Sequence, residues 1–362
     1  MSHTIDKPLL VVTLVLLVAG FLILASASMV AAQNDFGSLS YYALRQFLYG
    51  VLAGCVALLA ASFVPYRSWK KYALLFMFFS FVLLALLFLP ETSFSFGGAR
   101  RWLRFGSLTF QPSEILKLSF IIYLASWLDE RRRDVTSISY GMVPFATMLA
   151  IIGVFLGMQP DIGTLGIIVI TSVFLYFIGG GRVSQIAAII VFGLIIFYFL
   201  IQLAPYRMAR ITVFLQPGSD PSGVGYQIQQ ALIAIGSGGF FGLGFGKSLQ
   251  KYNYLPEPMG DSIFAIAAEE LGFVGVVCLI LLFGFLFWRG IAIAKRAPDV
   301  FGKLLASGIS IAIFTQAFIN MAAILGLLPL TGIPLPFVSY GGTALAITLA
   351  HIGILLNISK HT

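Results

Sequence analysis

Charge is what this 362-residue sequence lacks most. Charged residues make up 10% of it, where a soluble domain carries about 25%. Cysteine is almost absent: Cys55 and Cys278 both sit inside apolar runs, where they read as small core residues. That excludes a disulfide-stapled domain and a thiolate metal centre. Histidine is nearly as scarce. His3, His351 and His361 have no Cys, His or acid at ligand spacing, which argues against zinc chemistry and a histidine base. No fixed-period repeat and no linker between soluble domains is present. What remains is apolar: 59% hydrophobic, with a mean hydropathy of +0.98. A soluble globular enzyme and a disordered chain are both excluded.

Ten apolar segments are long enough to read as membrane spans, near 9–31, 43–64, 72–90, 113–128, 142–158, 163–180, 184–204, 262–288, 303–327 and 336–358. Ala25-Ser26-Ala27 resembles a signal-peptide cleavage site, but the apolar stretch around it exceeds the usual core of about 7–15 residues. It is therefore expected to stay as the first span. The expected architecture is an all-α integral membrane protein of ten transmembrane helices. It forms one domain, 1–362, with a large extracytoplasmic loop at 205–261 between helices 7 and 8.

The basic residues set the orientation. With the N-terminus cytoplasmic, the inner loops hold 13 of the 22 Lys and Arg, and an even span number puts both termini inside. The other nine break the rule. Eight of them fall in two stretches, 100–117 and 207–251. Topology does not account for these cations at the outer face; an anionic ligand there does.

Six constellations could carry chemistry. Gly97-Gly98-Ala99-Arg100-Arg101-Trp102-Leu103-Arg104-Phe105 offers guanidinium groups for phosphate, or an Arg/Trp interfacial anchor. In Gln111-Pro112-Ser113-Glu114-Ile115-Leu116-Lys117, Pro112 suits a helix start, and Glu114 and Lys117 share a helix face as an ion pair. That pair either orients the helix or serves the reaction site. Asp161, in Gln159-Pro160-Asp161, reads as a helix cap or a ligand contact. The loop 205–261 brings Arg207 and Arg210 in an interfacial helix, then a glycine tract, 236–246, that ends in Gly246-Lys247-Ser248. A nucleotide-binding P-loop is excluded, because Phe241 stands where its first glycine belongs. A hinge or a substrate-lining loop is expected. Asp261, after Lys251 to Gly260, reads as a helix cap or as a general base at the water–lipid boundary. Glu269 and Glu270 lie about two turns deeper on the same helix, so at least one should face protein. Finally, 326–343 is rich in Pro and Gly at membrane depth, which predicts irregular backbone lining a cleft.

At these residues the sequence resembles the SEDS family, the FtsW/RodA/SpoVE group, over nearly its whole length. The C-terminal signature reads Asn320, Gly326, Pro329, Gly332 and Ser339-Tyr340-Gly341-Gly342-Thr343-Ala344. Gly98-Ala99-Arg100-Arg101-Trp102, Gln111-Pro112-Ser113-Glu114, Gln159-Pro160-Asp161 and Asp261 with Glu269-Glu270-Leu271-Gly272 follow the family pattern in order. Gln229 to Gly239, Tyr254-Leu255-Pro256-Glu257 and Leu328 to Gly332 look more like FtsW than RodA. One departure stands beside the loop aspartate: Met259-Gly260 replace a His-Thr pair common in relatives.

The resemblance implies a peptidoglycan glycosyltransferase of the bacterial cytoplasmic membrane, its site facing outward, polymerising lipid II for cell-wall synthesis in cell division. Asp261 would be the base. Attack opposite the departing undecaprenyl diphosphate would invert the anomeric centre. Arg100, Arg101 and Lys117 would help hold diphosphate, with Glu114 paired to Lys117. Asp161, Arg207, Arg210, Lys247, Lys251 and Ser339 complete the expected substrate-binding set. Implied partners are a class B penicillin-binding transpeptidase, lipid II as donor and acceptor, and other divisome membrane proteins; nucleic acid is not one. No cofactor is implied, and a divalent cation, Mg or Mn, stays open. The alternatives are a lipid II flippase, an elongation-type polymerase, an enzyme for other lipid-linked glycans and a non-catalytic scaffold. A flippase needs a polar route through both leaflets. Here Glu114, Lys117, Asp161, Glu269 and Glu270 all sit in the outer halves of their spans.

Overall fold

The structure, a computed structural model, describes residues 4–89, 93–96, 99–106, 108–202, 204–216, 218–220 and 223–362, without the side chains of 93–96, 99, 100, 105 and 108. All ten apolar segments are helical. They form α1 (Lys7–Phe36), α2 and α3 (Tyr41–Gln46 and Ala53–Phe63, joined by a π-helical turn at Phe47–Leu52), and α5 (Ala73–Leu86), which follows the short α4 (Tyr66–Lys71). Next come α6 (Pro112–Glu130), α7 (Val143–Met158, entered through a π-helical turn at Ile138–Met142), α8 (Ile162–Ile178) and α9 (Val183–Gln202). Two shorter helices in the large loop, α10 (Pro205–Leu215) and α11 (Val224–Ser237), precede α12 (Ile263–Arg296), α13 (Val300–Ile324) and α14 (Gly342–Ser359). Seven of the described helices are long and apolar enough to cross a membrane, α5 and α8 are shorter apolar helices, and α6 carries four charged residues at its ends.

The all-α expectation fails in one place. Residues 93–110 form a three-stranded antiparallel sheet, β1 (Ser93–Phe96), β2 (Ala99–Phe105) and β3 (Leu108–Phe110), in the order 1-2-3. Strand geometry sends Arg101 and Leu103 to one face. Leu103 is fully buried there. The last apolar segment also starts later than expected: 336–341 is irregular, and the helix begins at Gly342.

The packing is concentric. α13 is buried along almost its whole length, with α12, α8, α6 and α14 around it. α14 lies against α3 at glycine distance, since a Cβ on Gly353 would come within 2.3 Å of Leu58 O. Small residues let helix backbones meet this closely in lipid, where packing replaces the hydrophobic effect as the driving force. α9 is the opposite case: Gln185 is its single buried residue.

Both ends of the described chain meet at one end of the bundle, where Asp6 N–H donates to Ser359 Oγ at 3.1 Å. Several charges there are paired. Arg289 binds Asp6, Lys70 meets Asp129 at 2.8 Å, and Asp299 accepts from Tyr66 OH at 2.6 Å and Arg67 Nε at 3.0 Å.

The opposite end is built around a break. α12 runs 34 residues, roughly 51 Å at about 1.5 Å per residue, longer than a hydrocarbon core of about 30 Å. It is interrupted at Gly272, whose φ of 68° and ψ of −169° leave the helical region. The glycine tract satisfies the backbone groups freed by the break. Leu243 N–H and Gly244 N–H donate to Glu269 O and Glu270 O at 3.0 and 3.1 Å, and Phe273 N–H and Val274 N–H donate to Gly239 O and Phe240 O at 2.9 and 3.2 Å. Only glycine fits at the crossing, because a Cβ on Gly272 would sit 2.2 Å from Gly242 N.

Candidate active site

Asp261 ends the turn that leads into α12. It does not cap the helix: Ser262 holds the cap position, and no helix N–H donates to the Asp261 side chain among the described residues. Its Oδ1 instead accepts from Gln227 Nε2 of α11 at 3.2 Å, an amide that also donates to Ser262 Oγ at 2.9 Å. The backbone around it is clamped by the irregular segment before α14. Ser339 Oγ donates to Gly260 O at 2.7 Å and accepts from Leu335 N–H at 2.8 Å, while Tyr340 N–H donates to Met259 O at 2.8 Å. Asn320 of α13 closes the clamp, its Nδ2 donating to Asp261 O and to Ile333 O, both at 2.8 Å.

The carboxylate's free side looks across Gly332. A Cβ there would lie 3.9 Å from Asp261 Oδ2 and 3.7 Å from both terminal nitrogens of Arg210, and the φ of +71° disfavours any other residue. Arg210, on α10, is anchored by Nη1 donating to Leu330 O at 3.0 Å. Burial lowers its pKa, the charge of Asp261 raises it and the charge of Arg101 lowers it again. Arg101 projects from β2 to the carbonyls of Gln159, at 3.2 Å, and Pro160. Two guanidinium groups thus repel each other, one of them, Arg210, beside the Asp261 carboxylate. An anion between them would relieve that repulsion.

Asp261 is pushed up to about 6, first by burial and then by the charge of Glu257, against the lowering pull of Arg210 and the Gln227 hydrogen bond. Burial also raises Glu257. Glu257 folds back over the turn, and a Cβ on Gly260 would meet its Oε2 at 3.0 Å. This gives the departure at Met259-Gly260 a physical reading. Both residues serve the clamp through backbone carbonyls, and a side chain at 260 would crowd the carboxylate that raises Asp261.

The other expected site residues separate into groups. The Arg100 side chain lies outside the described residues. Asp161 caps α8 through Thr164 N–H at 3.3 Å and accepts from Ser113 Oγ at 3.0 Å, tying α8 to the start of α6. Glu114 and Lys117 form the expected pair at 2.9 Å, buried, with Lys117 Nζ also donating to Gln316 Oε1 at 2.6 Å. Gln316 in turn holds Pro334 O at 3.0 Å, so this pair reaches the clamp segment through one residue. Arg207 is spent on Leu200 O at 2.7 Å and on the Tyr206 hydroxyl at 2.8 Å. Lys247 is exposed, its chain lying along Gly244. Lys251 is buried, with Nζ 3.0 Å from Glu270 Oε1 and 2.7 Å from Gly246 O. Ser248 and the N–H groups of Leu249 and Gln250 converge on Glu269. Both glutamates therefore face protein and hold the glycine tract on the break.

Sequence reasoning missed Gln227. A glutamine in an amphipathic helix carries no local signal. It also left out Glu257 as a site residue, since its effect depends on a turn that folds it back. Among the described residues no three His, Cys, Asp or Glu side chains gather as a metal site.

Bundle and site together define a multi-pass helical membrane protein with a cation-flanked carboxylate at one end. The comparisons agree. The family described as "Cell cycle protein", FTSW_RODA_SPOVE, matches residues 7–362, and the chain belongs to it. Stage V sporulation protein E of Bacillus subtilis is 42% identical over 357 residues, covering 99% of this chain and 97% of that protein. A probable peptidoglycan glycosyltransferase FtsW of Geobacter metallireducens is 38% identical over 98% of this chain and 94% of its own length. Among solved structures, a chain of a peptidoglycan synthase complex superposes with a TM-score of 0.80 at 27% identity, covering 98% of both chains. The rod-shape-determining protein RodA of Thermus thermophilus superposes with a TM-score of 0.72 at 27% identity, over 99% of this chain and 98% of that one.

Proposed function

We propose that this protein is a peptidoglycan glycosyltransferase that polymerises lipid II, serving cell division, with Asp261 as general base. The observation that carries the reading is the Asp261 carboxylate facing Arg210 across Gly332, with Arg101 beyond. The acceptor hydroxyl gives its proton to Asp261 Oδ2 as its oxygen bonds the anomeric carbon, and the bond to the diphosphate breaks on the opposite face. Diphosphate is a good leaving group and needs charge neutralisation more than protonation. Arg210 and Arg101 supply it. A carboxylic acid near pKa 6 is largely ionised at neutral pH and basic enough to take a proton.

The same reading gives the chain ten spans as a single domain. Both termini are cytoplasmic, residues 205–261 are extracytoplasmic, and the site opens to the outer face of the cytoplasmic membrane. The 13 of 22 Lys and Arg in the loops at the end shared by both termini support that orientation. Lys117 and Glu114 act from within the bundle as supports of the clamp segment. Asp161, Arg207, Lys251 and Ser339 act by holding backbone in place, while Arg100 and Lys247 are kept as donor or acceptor contacts. A class B penicillin-binding transpeptidase is the proposed partner.

The test is polymerisation of purified lipid II, with and without that transpeptidase. Glycan strands are expected from the native chain and none from Asp261→Asn. Lipid II crossing proteoliposome membranes without polymer would replace this reading with the flippase.

A further inference from the structure

The turn that carries Asp261 has two dissimilar flanks. On one side lie Gly332, Leu330 and the guanidinium groups. The other side joins an aromatic cluster through Tyr340, whose N–H is bonded to Met259 O. The Tyr340 ring meets Tyr42 edge-on at 5.3 Å between centroids. Tyr42 in turn meets Phe36 at 5.6 Å and Tyr41 at 5.5 Å, both edge-on, and Phe36 and Tyr41 stack at 3.7 Å. Phe36 is 50% exposed, although it ends a long helix whose other face is core. The Tyr42 hydroxyl donates to Asp35 Oδ2 at 2.7 Å, which puts an exposed carboxylate at the rim.

We propose that Phe36, Tyr41, Tyr42 and Tyr340 form a saccharide subsite that holds an N-acetylhexosamine ring of the glycan next to the reacting one. The chemistry matches an uncharged sugar. The apolar C–H face of a pyranose lies on an aromatic face or edge, and the carboxylate at the rim accepts from ring hydroxyls. Arg45 lies near enough for its charge to act on Tyr340, but the Asp35 carboxylate at the rim opposes a diphosphate, and the recognition surface itself is aromatic. The two flanks thus sort the substrate by charge: phosphates toward Arg210 and Arg101, bare sugars toward Tyr340. Because Tyr340 is joined to Met259 by a backbone hydrogen bond, a ring held against Tyr340 is coupled to the position of Asp261. The proposal rests on the glycosyltransferase reading and names where its glycan lies.

The experiment uses the full chain in nanodiscs and a soluble β-1,4-linked N-acetylglucosamine tetramer as probe. Saturation-transfer NMR reads the tetramer's affinity, and gel analysis of product reads glycan length. Phe36→Leu with Tyr42→Leu keeps apolar volume and removes both rings. The expected results are affinity at least fivefold weaker and shorter strands, with Phe36→Trp retaining native affinity. Arg210→Gln, tested for tetramer binding only, is expected to bind as the native chain does. Unchanged affinity in the double variant overturns the proposal, as does a loss of thermal stability with affinity intact, the result for a membrane-interface anchor. A native chain that binds the tetramer and forms no polymer overturns the glycosyltransferase reading and leaves the subsite standing.

Discussion

Asp299 and Asp261 stand at the starts of consecutive helices at opposite ends of the bundle, and their environments are opposed. Asp299 caps α13 through Gly302 N–H at 2.7 Å and accepts from Tyr66 and Arg67. Burial acts to raise its pKa, but those hydrogen bonds outweigh it and the net shift is downward. Asp261 caps nothing, takes hydrogen bonds only from its own N–H and, at 3.2 Å, from Gln227 among the described residues, and is raised to about 6. A carboxylate saturated with donors is a structural anchor. One left under-satisfied beside cations has a lone pair to spend on chemistry.

The strongest way to break this contrast is Asp261→Asn. Removal of a general base costs about 10²–10⁴-fold in rate, so polymerisation is expected to fall by that much while the thermal midpoint stays near native. A smaller loss in initial rates would make Asp261 a spectator. Lys117→Met is expected to act on stability instead. It leaves Glu114 buried without its cation, at a cost of about 3–5 kcal/mol. Thermal unfolding in detergent measures this, and an unchanged midpoint would remove the pair from the bundle's supports.

Asp299→Ala should cost about 1 kcal/mol through the lost cap, with polymerisation per folded molecule retained. Because its pKa is depressed, the stability Asp299 contributes is present above the unfolded carboxylate range and lost as pH falls through the folded value. The subtlest test is of pH dependence. The base must be ionised, so activity is expected to rise with pH through about 6. In Glu257→Gln the neighbouring negative charge is gone, and that acidic limb is expected to move to lower pH. A limb that stays in place would show that burial alone raises Asp261.

Much of the scaffold was readable because lipid imposes it. Backbone in hydrocarbon must bond to itself, so apolar runs become helices, and every one of the ten did. Arg101 and Arg210 stood out as cations that topology did not account for, and Asp261 as a helix cap or a base that the family pattern also marks. Three features were not legible. The sheet at 93–110 follows a two-residue alternation too short to compete with the helical segments around it. Lys251 and Lys247 look alike in the chain, yet one is buried on Glu270 and the other faces outward. The glycine tract read as a hinge or lining loop, and it instead repairs a broken helix.

By itself the sequence determined the apolar segments, their helicity and the family, and it named Asp261 as a candidate, because each depends on local composition or on a contiguous motif. Only the tertiary structure decided which cations flank Asp261 and which are internal struts. It also decided that Gln227 and Glu257 act on the same carboxylate. Those assignments depend on distances across four separate chain segments, around 101, 210–227, 257–261 and 330–340. Burial and Coulomb interactions, which set the pKa of Asp261, follow distance in space and not position along the chain.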